Sequence, residues 1–201
     1  MSTRDSLISV GAKLLDRGGV VAVTLRAVGR GAGLSHNAPY KHFASKEDLL
    51  AAIAARELSW QREAMQRTDA ARLPPLQALK MMMRGYVRWA LKYPARFKLT
   101  FGSWLAGTDE LTKAAESTRS LLIEVVKAAQ ARRDLPRGDP ERLASLFLAL
   151  AHGAADQALA GHLSSEGKGH ASPEQLVDDL FGYVSTKGVT PKTGSRRRKT
   201  K

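Results

Sequence analysis

An all-α fold follows from three features of this 201-residue sequence. Apolar residues recur every three or four positions through almost the whole chain, which is the spacing of amphipathic helices. The segments that carry this spacing are separated by Gly and Pro, or open on Ser, Thr or Asp, the marks of helix ends. No stretch alternates apolar and polar residues for long enough to read as a strand. About nine helices are predicted.

The first runs from about Thr3 to Asp16, with Ile8, Ala12 and Leu15 on one face and Leu7, Gly11 and Leu14 beside them. Gly18-Gly19 stops it, since glycine is the usual residue just past a helix end. Val20 to Val23 is an apolar connector, with Val21 and Val23 expected to pack beneath the helices. Thr24 caps the second helix, its hydroxyl accepting a backbone N–H of the first turn. Leu25 and Val28 face inward, Arg26 and Arg30 outward, and Gly29, Gly31 and Gly33 weaken the helix and then break it. Ser35 opens a third segment, His36 to His42. Pro39 creates a difficulty there, because in a helix capped by Ser35 its ring meets the Ser35 carbonyl. The segment therefore begins near His36 or Asn37, or has a first turn distorted toward 3₁₀ geometry.

Ser45 caps a fourth helix, with Glu47 and Asp48 in the first turn, where the helix dipole favours negative charge. It continues to about Gln66, with Leu49, Ile53 and Trp60 along one stripe. Arg72-Leu73-Pro74-Pro75 breaks the pattern. The fifth helix repeats Leu76, Leu79, Met83, Tyr86 and Ala90 and ends at Tyr93-Pro94; the sixth, Ala95 to Leu105, is rich in large apolar residues. The seventh, roughly Asp109 to Arg133, repeats Leu111, Ala115, Leu122, Val125 and Ala129. Asp139-Pro140 starts the eighth, with Pro near its first position and Leu143, Leu146, Phe147, Leu150, Ala154 and Ala158 on one side. Ser172-Pro173-Glu174-Gln175 suits a capping box. The ninth helix then presents Leu176, Val177, Leu180, Phe181 and Val184.

Charge is unevenly spread. The formal net charge is +13, but seven of the 32 basic residues lie between Lys187 and Lys201 with no acid among them. Upstream, 25 basic residues face 19 acidic ones, a net +6. Such a balance attracts polyanions without specifying one. The tail, residues 188–201, reads as a solvated disordered extension, a DNA-contacting arm or an artificial addition. With no Cys, disulfides, thiolate nucleophiles and Cys-ligated zinc are excluded. No apolar run reaches the ~20 residues of a bilayer span, and MSTRDSLISV lacks a signal-peptide layout, so a cytoplasmic location is expected.

The stretch from Thr24 to Leu50, TLRAVGRGAGLSHNAPYKHFASKEDLL, concentrates function. Two short helices joined by a Gly-containing turn make a helix-turn-helix, whose second helix normally enters the DNA major groove. His36 and Asn37 stand at its N-terminal end. Asn can address adenine bidentately, and His or Lys can donate to guanine. Tyr40 and Lys46 are of the types that hold phosphates, and Phe43 reads as core. His36 and His42 face different directions, which argues against a shared metal. No catalytic constellation is present, and no cofactor or enzymatic activity is expected.

A first helix ending near Gly-Gly, followed in order by T-L-R-A-V, A-G-L-S, Y-K-H-F and S-K-E-D-L-L, resembles the DNA-binding domain of TetR-family transcriptional regulators. The rest of the chain resembles that family more weakly, through helix count and the segments KYPARFKLTF and ALAHGAADQAL. The resemblance implies a helix-turn-helix domain over residues 1–48 and a ligand-binding and dimerisation domain over residues 49–187. It implies DNA contacts from Thr24, Arg26, Ser35, His36, Asn37, Tyr40, Lys41, His42 and Lys46.

It further implies a homodimer on a near-palindromic double-stranded operator, joined through the last two helices. Phe147, Leu150, Ala154, Leu180, Phe181 and Val184 are the candidate interface. Repression released by a small apolar ligand completes the picture. Trp60, Met83, Tyr86, Trp89, Phe97, Phe101 and Trp104 are candidates for the pocket, each equally readable as core, as is Met81-Met82-Met83. His152, alone on an apolar helix, reads as a satisfied core or interface histidine. Two other readings stay open: a nonspecific basic DNA-binding protein, and a helical ligand-binding or interaction module with a vestigial helix-turn-helix.

Overall fold

The computed structural model describes residues 2–102 and 107–186, without the side chains of residues 69 and 70. Trp104 and the basic tail, both singled out above, lie outside the described residues. Among those described there are eight α-helices, one 3₁₀ turn and no strand. The helices are α1 Thr3–Ala22, α2 Leu25–Gly31, α3 Lys46–Ala70, α4 Pro75–Lys92, α5 Pro94–Phe101, α6 Asp109–Ala131, α7 Pro140–Leu159 and α8 Pro173–Val184, with the 3₁₀ turn at Pro39–Lys41. The third of the nine expected helices is thus a single tight turn.

Two apolar cores form. The first joins Leu7, Ile8 and Leu15 of α1 to Leu25 and Val28 of α2, to Phe43 ahead of α3, to Leu49 and Ile53 of α3, and to Leu99 of α5. The second runs from Leu79, Met83 and Val87 of α4 through Leu122 and Val126 of α6 to Phe147 of α7 and Phe181 of α8. Since α3 enters the first core at its start and packs against α6 further on, it is the spine common to both halves.

Capping decides most helix starts. Ser45 Oγ accepts the Asp48 N–H at 3.1 Å, and the Asp48 carboxylate in turn accepts the Ala44 N–H at 3.1 Å. Ser172 and Gln175 form a full reciprocal capping box, and Asp139 caps α7 through the Glu141 N–H at 2.9 Å. A second capping box, Ser2 with Asp5, starts α1.

Helix α1 departs from expectation near its end. The backbone leaves helical geometry at Gly18 and Gly19, as the Gly-Gly pair predicts, but it then closes one more turn to Ala22. Gly19 sits at φ +66°, ψ −168°, a combination almost confined to glycine. This turn buries Val23 and leaves Val21 86% exposed. Only one of the two connector valines packs beneath the helices, because the pair straddles the end of a helical turn and is not part of a straight connector.

Candidate nucleic-acid interface and interior cavity

Pro39 shapes the helix-turn-helix. It has no N–H to give the Ser35 carbonyl, so that oxygen accepts instead from Ala38, three residues on, at 3.1 Å. The chain continues as a 3₁₀ turn, and the Pro39 carbonyl then takes the N–H groups of His42 and Phe43, each at 3.0 Å. The proline ring is buried against α2. A Cβ placed on Gly29 would come within 2.7 Å of Pro39 Cγ, so glycine at 29 lets the turn seat. On the other side of the break, Gly33 at φ +68° allows the Leu34 N–H to return to the Gly29 carbonyl at 3.0 Å, a Schellman-type closure.

The anchors and the outward residues separate cleanly here. Pro39 and Phe43 are buried, while Ser35, His36, Asn37, Tyr40, Lys41 and His42 are exposed. The His36 ring stacks on Tyr40 with centroids 6.0 Å apart, and His36 Nδ1 lies 3.2 Å from Asn37 Oδ1. The geometry therefore brings these three candidates together. Thr24 caps α2 through the Ala27 N–H at 3.1 Å. Arg26 is exposed on the following turn, and Lys46, half-buried, is the first residue of α3. Arg30, also exposed, stands one turn from Arg26 and adds a cation to the same helix.

Behind this unit, α3, α4, α5 and α6 enclose a cavity of about 720 Å³, closed at one side by the start of α7. Trp60, Met83, Tyr86, Trp89 and Phe101 line it, as do Met81 and Met82. Phe97 does not: it is buried behind the wall, its ring centroid 6.2 Å from Tyr86 and 6.3 Å from Trp89. His152 Nδ1 lies 2.9 Å from Tyr86 Oη, and the ring packs 4.7 Å from Phe97. Burial pushes the Tyr86 phenol far above its ordinary range, so it stays neutral. The histidine is satisfied in the core, as expected. Trp60 leaves the buried stripe of α3, lying under Arg56 with the guanidinium 4.5 Å from its ring.

Nothing in the sequence signals the polar lining. Glu57 is only 1% exposed, yet its carboxylate accepts from Trp89 Nε1 and from Arg96 Nη1, both at 3.2 Å. Burial raises the Glu57 pKa, and the Arg96 guanidinium and the Trp89 hydrogen bond oppose that rise. Arg96 continues outward, donating from Nε to Asp16 Oδ1 at 2.9 Å and from Nη2 to the other oxygen. A cavity-lining tryptophan is thus connected through two ionic side chains to α1. Arg56, bonded to Ser9 Oγ at 2.9 Å, ties α3 to the same helix. Helical spacing marks which face of a helix is apolar, but it carries no information on which acid meets which base 39 or 80 residues away.

The six dimer candidates divide. Phe147 and Phe181 stack on each other with centroids 4.8 Å apart inside this chain's own core, where Ala154 is also buried. These three do not reach the surface of the chain. Leu150, Leu180 and Val184 are half-buried. The apolar side chains that α7 and α8 present outward are Leu146, 64% exposed, and Tyr183, 73% exposed.

Residues 7–53 match the family described as bacterial regulatory proteins, tetR family, and residues 79–180 match the tetracyclin repressor-like C-terminal domain. No curated protein matches the sequence. Among solved structures, a protein of unknown function from Rhodococcus sp. RHA1 is 28% identical, with a TM-score of 0.78 over 90% of this chain and 92% of that one. A transcriptional regulator of the TetR/AcrR family from Thermobifida fusca, 20% identical, superposes with a TM-score of 0.67 over 89% and 93% of the two chains. The regulator FadR from Bacillus subtilis, in complex with stearoyl-CoA, does so at 0.71 over 92% and 99%, with 11% identity. No helix among the described residues is long and apolar enough to cross a membrane.

Proposed function

The chain belongs to the TetR family of DNA-binding transcriptional regulators, and from that premise we propose that it is a homodimeric repressor, released from a near-palindromic operator by a small, largely apolar ligand. The observation that carries this reading is the continuity of α3. Its first residue is Lys46, beside the recognition turn, and its fourth and fifth turns place Glu57, Trp60 and Gln61 on the cavity wall. A ligand that shifts this helix moves the DNA-facing unit with it. Such a ligand acts only if it favours the DNA-incompetent arrangement over the competent one.

The path from Trp89 through Glu57 and Arg96 to Asp16 gives the shift a second route. Buried ionic contacts tolerate few alternative geometries, so a ligand that turns the Trp89 indole disturbs Glu57, and Arg96 then repositions against α1. Within the recognition turn, His36, Asn37, Lys41 and His42 are assigned to base edges with Ser35 beside them, and Thr24, Tyr40 and Lys46 to phosphates, with Arg26 nearby. Residues 1–48 carry the DNA contacts and residues 49–187 the ligand and dimer contacts.

A single short recognition element reads few bases, and two copies about one DNA turn apart, ~34–36 Å, supply the remainder. The dimer surface is placed on the outward faces of α7 and α8, around Leu146, Leu150, Leu180 and Tyr183. That bound stearoyl-CoA accompanies one fold relative is in keeping with an apolar effector, although the fold alone is shared with it. Selection of binding sites from random duplex DNA by the purified protein tests the reading. Enrichment of an inverted repeat supports it, and recovery of DNA without any common sequence overturns it.

A further inference from the structure

Two polar groups on the cavity wall have no partner. Thr100 Oγ1 and Gln61 Nε2 are both buried and make no hydrogen bond, and both residues line the cavity. Thr100 is only 7% exposed. Its idleness contrasts with other helical hydroxyls in this chain. Those of Ser59, Thr68, Thr118 and Ser145 each bond the carbonyl four residues earlier, at 2.8–3.0 Å. Buried polar groups in native proteins are almost always paired, and leaving one unpaired carries the full desolvation cost. A side chain that forgoes the local carbonyl while facing a cavity is placed to meet something in that cavity.

The buried charges nearby are already matched. Glu57 faces Arg96 at 3.2 Å and Arg56 at 3.9 Å, and Arg96 also holds Asp16. Two carboxylates and two guanidinium groups therefore cancel at the inner wall. Arg119, on the α6 side, lies 3.8 Å from Glu141, and Glu116, the remaining acid of the lining, is exposed to solvent. An ion entering the cavity would lose its hydration and find the buried opposite charges engaged, which disfavours charged ligands. Aromatic, methionine, leucine and alanine side chains make up most of the rest, and about 720 Å³ is in the range that holds drug-sized molecules.

We infer that the cavity's ligand is an uncharged, drug-sized and mostly apolar molecule carrying a hydrogen-bond acceptor, such as a carbonyl oxygen, that receives the Thr100 hydroxyl and the Gln61 amide. This inference rests on the ligand-responsive reading above. It is tested by calorimetric titration of the full chain with four probes that share a naphthyl-butyl body. Their ends are a methyl ketone, a methyl group, a carboxylate and a trimethylammonium.

The ketone binds at least about tenfold more tightly than the other three, the effect of two hydrogen bonds made inside an apolar site. In Thr100→Val, and separately in Gln61→Met, the ketone's advantage over the methyl probe shrinks. In the double variant it falls to within about twofold. Tightest binding of the carboxylate or the ammonium overturns the inference and leaves the cavity's role intact. So does a ketone advantage that survives the double substitution, as it would if water alone met these two groups. Binding of none of the four overturns the inference together with the ligand-responsive reading beneath it.

Discussion

Arg96 and Asp16 lie 80 residues apart in sequence and meet through a two-pronged ion pair. The fork of the guanidinium matches the carboxylate edge, so the contact fixes orientation as well as distance. Arg96 is buried on α5, and Asp16 lies in the last regular turn of α1. On the function proposed above, a move of α5 against the cavity would be passed through this contact to the helix on which the DNA-facing unit is built. Leu99, one turn further along α5, reinforces this by entering the first core.

Asp16→Asn breaks the ionic part of that contact while keeping the shape. We expect a stability loss of about 1.5–3 kcal/mol in urea denaturation, the range for a hydrogen bond to a charged group. Operator affinity without ligand should change little, whereas the ligand's ability to release DNA should fall severalfold. An unchanged ligand response would remove Arg96 from the signalling route.

Lys46→Ala should weaken binding to operator and unrelated DNA alike and lower the salt slope by ~0.9, the effect of one lost phosphate contact. Asn37→Ala should instead narrow the gap between operator and near-operator sequences. Uniform weakening in the second variant would show that Asn37 positions the protein and does not read sequence.

Gly29→Ala brings a methyl group to 2.7 Å from Pro39 Cγ and pushes the recognition turn off α2. Alanine is the better helix former by about 0.5–1 kcal/mol, so circular dichroism should show helicity retained. Operator affinity should nevertheless fall at least about fivefold, the equivalent of the ~1 kcal/mol lower end of an overpacking penalty. Wild-type affinity in this variant would mean that the turn is free to reseat.

Leu146→Glu and Phe147→Ala should have opposite signatures although they are neighbours. The first alters an outward side chain, and sedimentation should show monomers of near-normal stability. The second opens a cavity beside Phe181 and should cost about 3–5 kcal/mol of folding stability. A stable dimer from Leu146→Glu would move the interface elsewhere.

Glu57 provides a pH test. Its carboxyl is held above the ordinary range because burial outweighs Arg96 and Trp89, so the folded state binds this proton more tightly than the unfolded state does. Its contribution to stability is fully present below the unfolded pKa and is lost as pH rises through the folded value. Relative to Glu57→Gln, the wild type should therefore gain stability on acidification through the upper carboxylate range, as followed by denaturation midpoints. An opposite slope would mean that the Arg96 pairing dominates.

The sequence was most legible where the governing forces are local. Thr24, Ser45, Asp139 and Ser172 stand in cap positions because their side chains meet backbone groups two or three residues away. The inward faces of α1 and α2 followed from spacing alone. The proline problem was also visible: the missing N–H at Pro39 allows only a few outcomes, and 3₁₀ geometry was one of them. What periodicity could not reveal was the partner of an apolar face. Phe147 and Phe181 looked like interface residues, but each fills the other's side of one core. Val21 turned outward for a conformational reason located two residues earlier, at Gly19. Helical spacing passes over Glu57 and Arg96 altogether, because nothing within a few residues of either hints at the other.

The recognition turn divides labour between residues that hold it and residues that face away. Pro39 and Phe43 anchor it, while His36, Asn37, Lys41 and His42 take no part in the core. Exposed substitutions away from special backbone geometry usually alter stability by no more than about 0.5 kcal/mol. The DNA sequence preferred by such a protein can therefore drift over generations by exchanges at these four positions, with the fold, the cavity and the coupling to α1 inherited unchanged.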